Sequence, residues 1–454
     1  MKKIKSFFRS IYQREDFPLI IFSVVCFLFY LCLPVSYDDR VQIPKCTGLS
    51  LKGYWDLMVF DYFKWSSRVV VNGVMYFMLG HNGVLWKFLT AAILFFLMKF
   101  LSRIMDFPDR RKGYLIIIAM FLLVPWEYLG GAGWGACTIT YLWPIALGTL
   151  SFTTVYKAMN GLPVKWWEYM LCTVILLFST NQEQMGAVLL AANGIIFLYF
   201  LFTHRLKFVY FWNSLIAASG TLFNLTVPGN ALRSEVEAAA RFPDWDMVSM
   251  LDKLDLGYSL SMDKLLTGKG CVLFPLLALL LMISVWMKYK DRLYRGISAV
   301  PFAYFVLFGL LGNVTVNIFD HFPAGNTIDK FGAVNTQNAF HMSGYMQLIL
   351  YSVAGACFLL SFYILIKDTL AGIGMMLLML AAIAVRIVIG FSPTVYASGD
   401  RTYLVTYYVL FFAALLIYKK VVIRLPEKWQ FYLDRALYIL AGFTMLNFVC
   451  GIML

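Results

Sequence analysis

The sequence predicts an all-α membrane protein, a polytopic transmembrane helical bundle of about 11 to 13 spans. Hydrophobic residues make up 61% of the 454 residues and charged residues only 14%, whereas roughly a quarter of an average soluble chain is charged. Apolar runs such as 17–36 reach the roughly 20 residues needed to cross about 30 Å of hydrocarbon. Because backbone polar groups in lipid must be satisfied within the segment, repeated runs of this kind predict helices rather than an open sheet.

We place the spans, in chain order, near 17–36, 84–102, 113–131, 138–157, 166–181, 185–203, 208–226, 270–287, 298–316, 342–366, 370–391, 402–418 and 435–454. The net charge of +13 would suggest nucleic acid as the partner of a soluble chain. With the N-terminus in the cytoplasm, however, the excess of Lys and Arg falls in the cytoplasmic segments, as the positive-inside rule expects. The basic residues therefore indicate membrane topology, and no nucleic-acid partner is predicted. The first apolar run is too long for a cleaved signal peptide, and no small-x-small site follows it.

The chain is predicted to be one integral membrane domain, 1–454, without internal repeats. Its cytoplasmic loops are short, and the polar chemistry lies in the outer segments. These outer segments are 37–83, 227–269, 317–341 and 392–401. Function is therefore expected on the outer face. Residues 270–454 are predicted to form the C-terminal helices.

The first outer segment contains two predicted surface helices. Leu51, Trp55, Met58, Tyr62 and Trp65 recur at helical spacing, which predicts an amphipathic helix in the headgroup layer. A second run, 66–80, is too short to span and should return along the surface. The alternative is that these aromatic faces pack against protein.

Cysteine and histidine give no sign of a metal site. The eight cysteines lie mostly within spans and form no CxxC pair, which favours buried free thiols. The four histidines show no HxxH or HExxH spacing.

Two adjacent acids, Asp38 and Asp39, follow the first span directly. An ionised carboxylate at the edge of hydrocarbon is costly unless it faces water, a partner or a metal. Neighbouring carboxylates repel, so one of them can have a raised pKa, which suits a general base. The pair is also a candidate ligand set for a divalent cation. A solvated loop start is the simpler alternative.

Further polar and aromatic residues are predicted at the same outer level. They are Arg68, Glu127, Glu183, Asn230, Arg233 and Arg401, with Trp134, Tyr141 and Trp143 at the outer start of a span. Arginine suits phosphate because its planar fork binds two oxygens at once. Arg386 lies inside an apolar run, where a guanidinium needs an acid or a phosphate. Snorkelling arginines and belt aromatics are the alternatives for each residue taken singly.

These motifs resemble the GT-C class of membrane glycosyltransferases, and more closely a bacterial multi-spanning family related to O-antigen glucosyltransferases. The resemblance covers 16–235 and rests on Asp38-Asp39, WSSR ending at Arg68, Trp134 to Trp143, Gln182-Glu183, and Pro228 to Arg233, with GDRTY (399–403) as a weaker echo. Ser67 stands where the family usually has Gly, and Gln182 where it more often has His.

The resemblance implies inverting transfer of a monosaccharide from a polyprenyl-phosphate donor to a cell-surface glycan, at the outer face of the bacterial cytoplasmic membrane. Asp38 would be the general base, and Asp39 would orient the acceptor or hold a cation. Arg68, Arg233, Arg401 and Arg386 would bind the donor phosphate. Glu183, Glu127, Asn230 and the three aromatic residues would contact sugar or acceptor.

Two other classes of protein remain open. A flippase or transporter of a lipid-linked glycan often shows inverted repeats and paired broken helices near mid-membrane. No repeat is visible, and charge within the spans is nearly absent except for Arg386. A polymerase or ligase that joins preassembled glycans would also use outer arginines, and the sequence separates it poorly from a monosaccharide transferase.

Overall fold

The computed structural model describes residues 14–312, 328–367 and 369–453. In these ranges the chain is helical and contains no β-strand, only an isolated bridge between Asp329 and Gly332. Eight described helices are long and apolar enough to cross a bilayer, as expected for a multi-pass membrane protein. They are Leu85–Met105, Trp134–Met159, Glu183–Phe202, Arg292–Leu310, Met342–Ile366, Leu370–Phe391, Asp400–Arg424 and Glu427–Ile452. The all-helical class predicted from the sequence is confirmed for the described residues, and the eight helices are candidate membrane spans.

Four more predicted spans correspond to helices that are shorter or less apolar than these eight. They are Phe17–Cys32, Trp166–Thr180, Phe208–Thr226 and Leu273–Lys288. A helix of 16 residues such as Phe17–Cys32 is about 24 Å long. It would cross the hydrocarbon only with local thinning of the bilayer.

The continuous span predicted over 113–131 is wrong. The helix there is Arg110–Phe121, and a short 3-10 helix, Trp126–Leu129, follows it. Pro125 lies between the two helices. Proline lacks a backbone N–H and disfavours helical geometry in the residue before it, so the helix stops short of this position.

The chain forms two compact units. The first contains Met1–Leu122, Trp126–Asn230 and Pro426–Leu454. The last helix, Glu427–Met453, therefore belongs to the first unit rather than with the other C-terminal helices. A salt bridge of 2.7 Å joins the Lys112 ammonium to the Asp434 carboxylate of this helix.

The outer segment 37–83 is built of short helices within the first unit. In chain order they are Asp38–Cys46, Leu51–Phe60, the π-helix Asp61–Trp65 and Val69–His81. Leu51 and Trp55 are exposed, whereas Tyr54 and Asp61 are buried. An uncovered apolar face of this kind is what a helix lying in the headgroup layer requires. The helix Asp38–Cys46 was not predicted.

Asp61 fixes these surface helices to one another. Its carboxylate oxygen Oδ2 accepts hydrogen bonds from the Asn72 amide at 2.8 Å and the Tyr76 hydroxyl at 2.9 Å. The π-helix that carries Asp61 is thereby tied to Val69–His81. The outer segment 37–83 is thus a built surface with its own buried polar core.

The second unit contains Leu123–Pro125 and Ala231–Leu425. Besides its spanning helices it includes Met250–Thr267, Leu273–Lys288 and most of Gly229–Arg241. Phe242, Trp245, Val248, Leu256 and Val395 form a small apolar cluster in this unit.

All eight cysteines lie in the described ranges and are free, and five of them are buried, in line with the thiols expected from the sequence. Parts of several other predictions lie outside the described residues: the first 13 residues, the end of the span 298–316, and 317–327 of the third outer segment.

Candidate functional site

Asp39 is buried against the start of a spanning helix. Its carboxylate oxygen Oδ2 accepts a hydrogen bond from the backbone N–H of Gly135 at 2.8 Å, and Oδ1 accepts one from Ala136 at 2.8 Å. The residue is 4% exposed. The first N–H groups of a helix have no partner within the helix and carry its positive dipole end. Asp39 supplies both the acceptors and the negative charge that this helix end lacks.

The segment that carries Asp39 can approach the start of this spanning helix closely because residue 133 is a glycine. Its φ of +103° is in the region that favours glycine, and an added Cβ would lie 2.7 Å from Oδ1 of Asp39. On the other side of the contact, Tyr37 has a φ of +41° and a ψ of −119°, a sparsely populated conformation that costs a non-glycine residue about 1–3 kcal/mol. The chain therefore accepts local strain to turn from the first span into the helix that carries the two acids.

Burial raises the pKa of the Asp39 carboxyl above its usual range, and the charge of Asp38 adds to this rise. The two backbone hydrogen bonds from Gly135 and Ala136 oppose the rise. Asp38, in contrast, is exposed at the first position of the same helix. The two neighbouring acids thus lie in different environments: Asp39 is a helix-capping group, and Asp38 faces outward.

Four of the predicted site residues meet around Ser67. The Glu183 carboxylate accepts a hydrogen bond from the Ser67 hydroxyl at 2.9 Å and one from Nε of Arg68 at 2.6 Å. Nη1 of Arg68 lies 3.4 Å from the Tyr141 hydroxyl, and its guanidinium lies 5.4 Å from the centroid of that ring. The Asn230 side-chain oxygen accepts from the Ser67 backbone N–H at 2.9 Å. We call Ser67, Arg68, Tyr141, Glu183 and Asn230 the Arg68 cluster.

Asn181 holds the backbone of this cluster in place. Its side-chain oxygen accepts from the N–H groups of Val70 and Val71 at 2.8 and 3.1 Å, and its amide donates to the Ser67 carbonyl at 2.8 Å. Asn181 thereby caps the helix Val69–His81 from another part of the chain. It was missed in the sequence, where the run of polar residues TNQEQ between two apolar stretches was the available signal.

The two positions that depart from the family pattern both have structural partners. Ser67 donates to Glu183 as described, which a glycine could not do. Gln182 begins the helix Glu183–Phe202, and its side-chain oxygen accepts from the Met185 N–H at 2.6 Å. A polar side chain at 182 therefore serves as a helix cap.

The Arg68 cluster keeps donors available for an anion. Arginine carries five N–H donors, and within the described residues the hydrogen bonds of the Arg68 side chain are those to Glu183 and Tyr141. The side chain is 21% exposed. Arg68 can therefore bind a phosphate oxygen without giving up its ion pair with Glu183.

The tryptophans predicted to stack on sugars are packing residues in this structure, which is a correction to their predicted role. Trp143 is 4% exposed and donates its indole N–H to the Thr90 hydroxyl at 2.9 Å. Trp134 is 7% exposed, and its ring lies 5.9 Å from that of Phe448. Neither ring presents an open face. Tyr141 is also buried, but its hydroxyl reaches Arg68.

Glu127 is exposed on the 3-10 helix Trp126–Leu129 of the first unit. Arg233 is partly exposed in the second unit, one turn into the helix Gly229–Arg241. The helix Phe208–Thr226 ends before 227–228, as predicted. Gly229 allows close packing after this end, because a Cβ there would lie 2.6 Å from the Asp61 carbonyl oxygen. The turn at Gly229 is therefore packed closely against the backbone of the segment that carries Asp61.

Arg386 is the most unusual charged residue of the second unit. It is 2% exposed, and its guanidinium carbon lies 4.0 Å from the centroid of the Tyr403 ring. Its Nε and Nη1 atoms have no hydrogen-bond partner among the described residues. Tyr403 belongs to the 3-10 helix Asp400–Tyr403, which also carries the partly exposed Arg401. Two of the predicted phosphate-binding arginines thus lie on contacting segments.

No cluster of three or more potential metal ligands occurs in the described parts of the chain. Both Asp39 oxygens already accept backbone hydrogen bonds, so a cation at the Asp38-Asp39 pair would have to rely mainly on Asp38.

Comparisons with protein-family profiles, with curated proteins and with solved structures found no match.

Proposed function

We propose that this protein is a GT-C-type glycosyltransferase that moves a monosaccharide from a polyprenyl-phosphate donor to a cell-envelope glycan, at the outer face of a bacterial cytoplasmic membrane. The observation that carries the proposal is the Arg68 cluster. Four residues chosen from separate sequence motifs, at positions 68, 141, 183 and 230, share one hydrogen-bonded network. Motifs that only anchored the chain to headgroups would not need to meet.

The transfer would proceed as an inverting displacement. The acceptor hydroxyl attacks the anomeric carbon, the bond from that carbon to the phosphate oxygen breaks, and polyprenyl phosphate leaves. Asp38 would take the hydroxyl proton, since it is exposed whereas Asp39 is occupied with the helix end. The free donors of Arg68 would neutralise charge that grows on the leaving phosphate. Arg233, Arg386 and Arg401 are further candidates for this role, and Glu127 for contact with sugar or acceptor.

A groove in the first unit supports a lipid-linked donor. Its volume is about 550 Å³, and it runs between the helices Phe17–Cys32, Arg110–Phe121 and Glu427–Met453. Its lining is aliphatic and aromatic, with Arg111 as the charged residue among the described lining residues. The volume is within the usual range for ligand sites. The same unit that holds the Arg68 cluster can thus accommodate hydrocarbon.

The test is a transfer assay on purified protein in nanodiscs with a panel of radiolabelled polyprenyl-phosphate monosaccharides and an envelope-glycan acceptor. A general base contributes about 10²- to 10⁴-fold, so Asp38→Asn should lose at least about 100-fold in turnover. Asp56→Asn is the matched control, because Asp56 is an exposed acid on the neighbouring surface helix. Full activity in Asp38→Asn, with the protein folded and the donor bound, would exclude Asp38 as the base.

A transporter of a lipid-linked glycan is the second candidate, and Arg386 favours it. Ionisable residues buried inside spans mark substrate pathways in transporters, and two nitrogen atoms of Arg386 have no hydrogen-bond partner among the described residues. Absence of turnover with every donor, together with movement of a lipid-linked glycan across liposomes, would replace the transferase proposal with this one.

A further inference from the structure

A second cavity, of about 420 Å³, lies in the second unit. It is formed where the helix Leu273–Lys288 ends, where Met342–Ile366 ends, and where Leu404–Lys420 leads into the 3-10 helix Val422–Arg424. We call it the basic pocket. Three helix ends and the turn before Leu370 converge on it, so its walls come from segments far apart in sequence.

Three cations line the basic pocket: Lys288, Lys420 and Arg424. None of the described lining residues is acidic. Ser284 and Thr369 add hydroxyl groups, and the rest of the lining is apolar: Met287, Leu365, Ile366, Val421 and Leu425. The pocket therefore combines concentrated positive charge with an aliphatic wall.

The helix dipole explains the positions of only two of these three cations. Lys288 and Lys420 are the last residues of their helices, where a cation is favoured by the helix dipole. The Lys288 ammonium also donates to the Leu365 carbonyl at 3.4 Å. Arg424 lies beyond the end of the helix, however, and no carboxylate among the described residues forms a salt bridge with any of the three. Three like charges around one cavity repel one another unless an anion occupies it.

The residues that line the basic pocket indicate which kind of anion it would bind. Lysine and arginine together are the usual ligands of phosphate, and the hydroxyls can donate to further phosphate oxygens. The aliphatic wall suits the glycerol and first methylenes that accompany the phosphate of a lipid. The topology predicted from the sequence, with the N-terminus in the cytoplasm and 227–269, 317–341 and 392–401 outside, leaves the Lys- and Arg-rich segments 288–296 and 419–434 on the cytoplasmic side. Anionic lipids concentrate on that side, and basic pockets between helices bind their headgroups.

We propose that the basic pocket binds the phosphodiester headgroup of an anionic phospholipid through Lys288, Lys420 and Arg424. The lining of the basic pocket shares no residue with the Arg68 cluster, and the proposal stands whether or not the protein transfers sugars. A lipid held at three helix ends would tie these helices together in the membrane.

The test uses purified full-length protein in mixed detergent micelles that contain either phosphatidylglycerol or phosphatidylcholine. Lipid retention by native mass spectrometry and the thermal unfolding midpoint are measured for the wild type and for the double variant Lys420→Gln/Arg424→Gln. Each basic residue near an anionic lipid is worth about fivefold in affinity, so the double variant should bind phosphatidylglycerol about 30-fold more weakly. Wild-type protein should retain phosphatidylglycerol in preference to phosphatidylcholine and gain stability from it.

The matched control is Lys290→Gln/Arg292→Gln, which removes the same charge from exposed positions outside the pocket lining. This control should bind phosphatidylglycerol as the wild type does. Equal loss in both double variants would mean general surface attraction and overturn the proposal. A separate arm with inorganic phosphate and glycerol 3-phosphate identifies the source: stabilisation by these alone, without a response to phosphatidylglycerol, would overturn the lipid assignment.

Discussion

Replacing Asp39 by alanine tests whether the two adjacent acids have separate roles. The substitution removes the acceptors of two buried N–H groups, those of Gly135 and Ala136, and the negative charge at that helix end. Loss of a helix cap costs about 1 kcal/mol per bond, and loss of a favourable charge costs about 0.3–1 kcal/mol more. Burial of the carboxylate is itself unfavourable, since it raises the pKa of Asp39, and this offsets part of the loss. We therefore expect the free energy of unfolding to fall by about 2 kcal/mol.

The assay is reversible unfolding in mixed micelles with increasing dodecyl sulfate, followed by tryptophan fluorescence. Asp38→Ala is the adjacent control. Because Asp38 is exposed, its removal should change the free energy of unfolding by no more than about 0.5 kcal/mol. Equal effects of the two substitutions, or a neutral Asp39→Ala, would refute the assignment of Asp39 as a buried helix cap.

Three further predictions address the same chain. Burial raises the pKa of Asp39, so the folded state holds the proton of this carboxyl more tightly than the unfolded state does, and stability should fall as the pH rises from ~3.9 through the folded-state pKa. Asp39→Asn should remove this slope from thermal midpoints measured upward from about pH 4. Asn181→Ala leaves three backbone groups without their partner and should destabilise by about 2–3 kcal/mol in dodecyl sulfate unfolding, whereas the exposed Asn160→Ala should not. Arg386→Met should leave the unfolding midpoint unchanged or higher, because it removes buried donors that have no partner among the described residues. If Arg386 binds an anionic substrate, the same variant should lose substrate binding. A large fall in the unfolding midpoint would contradict this.

The sequence was sufficient to predict the helical class and to single out four of the five residues of the Arg68 cluster, all but Ser67. Long apolar runs can only be helices in lipid, and polar residues at the ends of such runs must find one another or water. That constraint brings Arg68 to Glu183 and Tyr141. The same constraint does not predict which polar residue will hold the backbone in place, and Asn181 was missed for this reason.

The lengths of the helices and the orientation of their aromatic side chains were less predictable. Composition alone extended the third span to residue 131, although Pro125 ends regular helix well before that point. Trp134 and Trp143 carry the composition of an interfacial belt, yet their burial depends on Phe448 and Thr90, which are distant in sequence. Aromatic residues at a span end therefore predict depth in the membrane but not which face of the helix they occupy.

Helix geometry explains why the two adjacent acids lie in different environments. Successive residues of an α-helix point about 100° apart, so Asp38 cannot follow Asp39 into the same contact once the helix Asp38–Cys46 has formed. Asp39 is fixed by two backbone donors, and this contact sets the rotation of the short helix. Asp38 is consequently held outward at a defined position rather than on a free loop. A general base needs such a placement, because proton transfer requires hydrogen-bond distance to the acceptor hydroxyl.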